Sequence, residues 1–74
     1  MPVRMRLRQV MLLRELAGSP KMTQRELAER TGIRPGTIGA MYRGTLRRID
    51  LDQIDKLCAA LDCQPGDLFE RAEA

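Results

Sequence analysis

The sequence contains no histidine and no tryptophan, and Ser19 is its single serine. Histidine is the commonest general base of enzymes, and serine–histidine pairs are among the main nucleophilic arrangements. A chain of 74 residues is expected to form one domain, 1–74, which is too small to enclose a substrate cleft easily. We therefore expect no enzyme, no cofactor and no small-molecule ligand.

Cysteine is also scarce, with only Cys58 and Cys63 present. Two cysteines without histidine cannot supply the four ligands of a structural zinc site, so no metal is expected. One pair is too few for a secreted disulfide scaffold. Reduced thiols that pack as small apolar groups near a helix end are the expectation, and they suit a cytoplasmic protein.

Long apolar runs are missing as well. No segment approaches the ~20 consecutive apolar residues that a membrane span requires. The first arginines alternate with apolar residues instead of preceding an apolar block, which is unlike a secretory signal. The sequence thus predicts a cytoplasmic chain with no membrane partner.

Charge, by contrast, is plentiful and unevenly distributed. Residues 1–48 carry eleven Lys and Arg against three Glu, a net +8, whereas residues 49–74 carry two against seven acidic residues, a net −5. Such a separation in a small body predicts a strong field gradient. A polyanion is the partner that the basic part implies.

The hydrophobic pattern predicts an all-α fold of five helices joined mostly by short connections. Residues 2–7 alternate apolar and basic side chains, which predicts a short strand or an extended basic arm. A first helix from about Leu7 to Ala17 is apolar almost all round. This excess suggests burial on two sides, and hence a dimer contact.

Capping signals predict where the later helices begin and end. Thr23 with Glu26 forms a capping box before a helix over 24–31, which should end at Gly32. Pro35 suits the start of a helix that stops at Gly44. A capping box of Asp50 and Gln53 begins an amphipathic helix that reaches Leu61, and residues 64–67 open a last short helix bearing Leu68 and Phe69.

Two of these helices meet the requirements of a helix-turn-helix over about residues 24–43. Ala28 is small where the helices should cross, and Gly32 allows a sharp bend. Ile33, Ile38 and Met41 are placed to hold the second helix against the core, so that its opposite face protrudes.

The run from Thr23 to Ile33, continued by Thr37-Ile38 and Arg43-Gly44, resembles the phage Cro and lambda-type repressor (XRE-like) family of bacterial regulators. The stretch from Leu57 to Leu68 is similar to the end of small single-domain members, so the resemblance covers about residues 7–70. It implies a compact repressor-like DNA-binding domain, bacterial or phage-encoded and associated with the nucleoid.

The resemblance also implies roles for individual residues in binding double-stranded DNA. Arg34, Thr37 and Ala40 would face base edges in the major groove, with Arg34 suited to guanine. The residues placed beside the sugar–phosphate backbone are Gln24, Arg43, Thr45, Arg47 and Arg48. Tyr42 is ambiguous between a phosphate contact and packing.

The second helix departs from the family in carrying Pro35, Gly36 and Gly39 and few polar side chains. Glycines such as Gly36 either let the backbone lie close to the DNA or mark positions that no longer read sequence. Modest base specificity, with phosphate contacts supplying most of the affinity, is the consequence.

The sequence therefore predicts a transcriptional regulator, a repressor that occupies a palindromic operator as a homodimer. The candidate dimer surfaces are the strand at residues 3–7, the first helix and the C-terminal helix with Phe69. The alternative is a protein-interaction module that keeps the helix-turn-helix fold without specific DNA reading. RNA or single-strand binding is disfavoured, because Tyr42 and Phe69 are the only aromatic residues and cannot form a stacking platform.

Overall fold

A computed structural model describes residues 3–72 of the chain, so Pro2, the first residue of the predicted basic arm, lies outside the described residues. Two short strands and four α-helices make up the described part. In chain order they are β1 (Val3–Met5), α1 (Leu7–Leu16), α2 (Gln24–Thr31), α3 (Pro35–Arg43), α4 (Leu51–Leu61) and β2 (Phe69–Arg71).

The predicted fifth helix is wrong. Pro65–Leu68 forms only a four-residue 3₁₀ turn, and Phe69 belongs to β2 rather than to a helix. The reason is a long-range one, because the backbone that follows Leu68 hydrogen-bonds to β1 instead of to its own preceding turn. The fold is thus mostly helical with a small two-stranded sheet.

That sheet joins the two ends of the described chain. β1 and β2 pair antiparallel, with Arg4 opposite Glu70 and Met5 opposite Phe69. The Arg6 N–H donates to the Leu68 carbonyl at 2.7 Å, which continues the contact to the start of α1. The strand alternative for the N-terminal segment is therefore correct for residues 3–5.

Side-chain caps fix the starts of α2 and α4 as the sequence predicts. The Glu26 N–H donates to Thr23 Oγ1 at 3.0 Å. In the described part of the chain the Glu26 carboxylate accepts from the Thr23 hydroxyl at 3.4 Å rather than from the Thr23 N–H, so this capping box is only half formed. Both bonds of the Asp50–Gln53 box are present, at 2.8 and 3.2 Å.

One apolar core lies between α1, α2, α3 and α4. α3 packs mainly against α2 and α1, while α4 packs mainly against α2. Burying such side chains supplies most of the stabilisation of a small fold. The buried apolar residues are Met5, Leu7, Val10, Met11, Leu27, Ala28, Ile33, Ile38, Met41, Leu57, Leu61 and Leu68.

The first helix buries only one of its two apolar sides. Leu7, Val10 and Met11 lie in the core, but Leu12, Leu13 and Leu16 are 51%, 56% and 75% exposed. Leu13 and Leu16 are called the α1 leucine face below, because Leu12 instead borders a cleft with Arg8 and Tyr42. The helix is ten residues long, and within residues 3–72 no helix combines the length and apolarity needed to cross a membrane.

Both cysteines are free thiols, half-buried at the end of α4. Burial, the neighbouring Cys58 thiol and the Asp67 carboxylate together raise the pKa of Cys63 to about 11, against a smaller opposing effect of Arg14. The Cys63 thiol therefore stays protonated near neutral pH and packs as a small apolar group.

Candidate nucleic-acid interface

The turn between α2 and α3 is held by three hydrogen bonds. Gly32 has a left-handed backbone with φ of 71°, and its N–H donates to the Ala28 carbonyl at 2.9 Å. The buried Thr31 hydroxyl donates to the Leu27 carbonyl at 2.7 Å and accepts from the Ile33 N–H at 3.2 Å. The role of Thr31 in holding this turn was not predicted, although a hydroxyl at the end of a helix is a recognisable turn signal.

α3 has one buried face and one open face. Ile38 and Met41 are completely buried and Ile33 nearly so, which confirms the three predicted inward positions. On the other side Gly36 is exposed, and Thr37 and Ala40 are half-buried. The helix is anchored through one side, so its N-terminal half is available to a partner.

Arg34 lies at the N-cap of α3 rather than on the helix itself. It makes no capping hydrogen bond, and the ion pairs within residues 3–72, Arg4–Glu70 and Arg25–Glu29, do not involve it. An arginine is poorly suited to this position, because it does not accept the orphan N–H groups and its charge opposes the helix dipole. The exposed guanidinium and the first N–H groups of α3 together favour an acceptor-rich ligand.

Gly39 is buried beneath two polar side chains. A Cβ added there would lie 3.0 Å from Arg43 Nη1 and 3.8 Å from Gln24 Oε1. The first residue of α2 and the last residue of α3 therefore converge above Gly39, although they are nineteen positions apart in the chain. The missing side chain at Gly39 makes room for this pair, which is a role that sequence analysis did not assign.

The end of α3 directs the basic connection that follows. Gly44 is left-handed with φ of 76°, and the N–H groups of Gly44 and Thr45 donate to the Met41 and Ala40 carbonyls at 3.2 and 2.9 Å. This pair of bonds is the Schellman arrangement. The Thr45 hydroxyl also reaches the Ala40 carbonyl at 3.4 Å, while Arg47 and Arg48 are exposed beyond it.

Two arginines that sequence analysis left out of the site lie beside this helix end. Tyr42 is half-buried against the core, and with Arg43 and Gly44 it lines a cleft that Arg4 and Arg8 complete. The basic alternation of residues 2–7 was visible in the sequence. Its position beside α3 was not, because that depends on the pairing of β1 with β2.

Comparison with known proteins identifies the fold family. A family model described as a Cro/C1-type HTH DNA-binding domain matches residues 12–73. The chain belongs to this family. It is also similar to the "Uncharacterized HTH-type transcriptional regulator YozG" of Bacillus subtilis strain 168, with 40% identity over 50 residues that span 68% of this chain and 60% of that protein. No solved structure matches the chain significantly.

Membership of the Cro/C1-type family identifies the kind of DNA-binding domain that the chain contains. The chain carries a helix-turn-helix DNA-binding domain, and α2 and α3 are consecutive helices joined by the turn at Gly32. In this class of motif the second helix enters the major groove with its N-terminal residues toward the bases. Arg34 and Gly36 occupy that N-terminal end here.

Gly36→Ala tests two explanations for the glycine near the start of α3. Either the glycine lets the backbone lie close to the DNA, or it marks a position that does not read sequence. An added Cβ would meet no atom of residues 3–72 within 4 Å, so the fold should be unharmed and more stable by about 0.5–1 kcal/mol. We nevertheless expect duplex DNA to bind on the order of tenfold more weakly, because the new methyl group would face the DNA. Urea denaturation and fluorescence anisotropy measure the two effects.

Gly66→Ala is the matched control for this variant. Gly66 lies in the 3₁₀ turn after α4, and a Cβ there also meets nothing within 4 Å among the described residues. Its DNA affinity should equal that of the unmodified chain. Unchanged DNA affinity in Gly36→Ala would show that the backbone of α3 does not approach DNA closely.

Proposed function

We propose that this protein regulates transcription by binding double-stranded DNA with a sequence preference, as a repressor at a palindromic operator. The observation that supports this most is the arrangement around α3. Its N-terminal end presents Arg34, and its C-terminal end is followed by the exposed Arg47 and Arg48. Cations at both ends of an anchored helix suit a helix that lies in a groove of duplex DNA, with Arg34 toward the bases and Arg47 and Arg48 toward a phosphate backbone.

Base reading would depend on few side chains. Arg34 is the residue able to make a bidentate contact with guanine, and Thr37 and Ala40 follow it along the exposed side of α3. Thr37 and Ala40 are half-buried, so they offer small contact surfaces. We therefore propose modest base specificity, with Gly36 permitting close approach of the backbone to the groove.

Phosphate contacts would supply most of the affinity. Gln24 and Arg43 converge above Gly39, which supports a shared role on one stretch of backbone. Thr45, Arg47 and Arg48 extend this set beyond the end of α3. Tyr42 is half-buried and packed against the core, which favours packing as its main role and leaves only its outer edge for a phosphate.

The protein would act as a homodimer, because two-fold proteins suit two-fold operators and one small module buries little DNA surface. Of the three dimer surfaces considered from the sequence, the α1 leucine face has the clearest support. Leu13 and Leu16 are more than half exposed on one side of a short helix. A symmetric contact between two copies would remove this apolar surface from water.

Selection of bound fragments from a random duplex library, at about 50 and 200 mM salt, tests the proposal. We expect a palindromic motif whose affinity falls on the order of a thousandfold across that range. Salt-sensitive binding without a motif would contradict sequence preference. Absence of binding at low salt would instead favour the protein-interaction module, for which the α1 leucine face would be the docking surface.

A further inference from the structure

Shallow clefts follow one another along the side of the molecule next to α3. The first lies between α1 and the start of α2, where Arg8, Lys21, Gln24 and Tyr42 line it. The second lies between α1, β1 and the end of α3, and it contains Arg8 and Tyr42 again. The same two side chains border both clefts, so the clefts are adjacent.

The third cleft extends this path past the end of α3. It shares Arg4 and Gly44 with the second cleft and adds Thr45 and Arg47. We call the three adjacent clefts the basic furrow. Among residues 3–72, five cationic side chains border it against one acidic side chain, Glu15. These cations are Lys21, Arg8, Arg43, Arg4 and Arg47.

Close backbone contact holds β1 at the edge of the furrow. A Cβ added at Gly44 would lie 3.5 Å from the Met5 carbonyl oxygen and 3.9 Å from Arg4 Cδ. The strand therefore lies directly against the turn that ends α3. The Arg4 side chain is 55% exposed, and its Nε lies 2.9 Å from Glu70 Oε1. This ion pair leaves the terminal nitrogens of the guanidinium as donors.

We propose that the basic furrow is the path of one sugar–phosphate strand of the bound duplex, with Arg4 of β1 and Arg8 of α1 as phosphate contacts. This rests on the proposed function, because α3 must lie in the major groove for a strand to run along its side. A furrow bordered by cations from its first cleft to its third suits a linear polyanion better than a compact one. The DNA footprint thus extends beyond the helix-turn-helix to the N-terminal strand.

Charge-neutralising variants measure these contacts individually. Arg4→Gln and Arg8→Gln should each make the negative slope of log K against log salt shallower by about 0.9. Each should also weaken binding about eightfold at 0.1 M salt. The double variant should lose about sixtyfold. Selected and scrambled duplexes should be affected alike, since phosphate contacts carry no base information.

Arg14→Gln and Lys56→Gln are matched controls. Arg14 lies on α1 like Arg8 but borders a different cleft, beside Leu61 and Asp62, and Lys56 is exposed on α4. Both should change affinity less than about twofold, since neither neutralises a phosphate. Circular dichroism at the same temperature confirms that each variant is folded.

Glu70→Gln provides a test in the opposite direction. Removing the carboxylate releases Arg4 from its ion pair and should tighten DNA binding about two- to fivefold. The gain should be smaller in the Arg4→Gln background, because the released guanidinium is then absent. Equal gains in both backgrounds would overturn the assignment of Arg4.

The outcomes separate the two proposals. If the unmodified chain binds duplex DNA with a steep salt dependence but Arg4→Gln and Arg8→Gln behave like the controls, the furrow is not the strand path, and the proposed function stands. If the unmodified chain binds no duplex at low salt, both proposals fail. If Arg4→Gln or Arg8→Gln weakened binding to the selected duplex but not to the scrambled duplex, the inference would also be overturned, since that result would indicate base contacts.

Discussion

Arg34→Ser is expected to make the protein more stable and a poorer DNA binder at the same time. Serine at an N-cap accepts a backbone N–H of the first helical turn, which arginine does not do here. The free energy of unfolding should rise by about 1 kcal/mol for the cap, with a further ~0.3–1 kcal/mol from removal of a cation at the positive end of the helix. The backbone at Arg34, with φ −59° and ψ 140°, is extended and suits such a cap.

The same substitution should relax base preference. Losing a bidentate arginine contact reduces discrimination against the wrong base by about 1–3 kcal/mol. Urea denaturation gives the stability, and the ratio of affinities for the selected and scrambled duplexes gives the discrimination. Arg34→Lys is the control for charge, because lysine keeps the charge without the fork of donors. An unchanged ratio in Arg34→Ser would show that Arg34 does not read a base.

Replacing Leu13 and Leu16 together by glutamate should convert the proposed dimer to a monomer. Two charges on each copy would oppose one another across the α1 leucine face and would be costly to desolvate. Because both side chains are more than half exposed, and glutamate is a good helix former, the fold should persist. Sedimentation equilibrium should report the 8.4 kDa mass of a single chain.

Loss of the dimer should affect the palindromic operator far more than a half-site. We expect at least a hundredfold weaker binding to the full site, since specific affinity commonly exceeds non-specific affinity by ~10³ or more. Leu51→Glu is the control, because Leu51 is 82% exposed on α4, outside the α1 leucine face. A dimeric double variant would exclude this face as the interface.

The helix-turn-helix was predictable from the sequence because its signals are local. The helix bounds at Gly32 and Gly44 follow from left-handed residues at C-termini, and the start of α2 follows from Thr23. Each of these signals operates within about four residues. The inward positions Ile38 and Met41 follow from helical periodicity alone.

The C-terminal segment was not predictable in the same way. Residues 64–69 carry a proline, a glycine and two large apolar residues, a pattern that suits a short helix as well as a turn followed by a strand. What decides between them is β1, which lies at the other end of the described chain. Strand pairing is set by tertiary context more than by local propensity.

Only the part of the candidate site that depends on local signals could be predicted from the sequence. Residues on α2, α3 and the connection after α3 were assigned to it from their positions in the motif. Arg4 and Arg8, which we propose as further phosphate contacts, could not be assigned from the sequence, since their place beside Gly44 depends on the sheet and on the packing of α1 against α3. The role of Gly39 was also hidden, because it depends on where the Gln24 and Arg43 side chains meet.

The pairing of β1 with β2 has a consequence for how the molecule folds. Arg4 and Glu70 are 66 positions apart, so forming this sheet closes almost the whole described chain into a loop. Such a closure costs roughly 4 kcal/mol of chain entropy unless the helices have already shortened the path. The sheet should therefore form after the helical core, and it should open before the core does. Whether Phe69–Arg71 is paired with β1 then determines how firmly the Arg4 side chain is held in place.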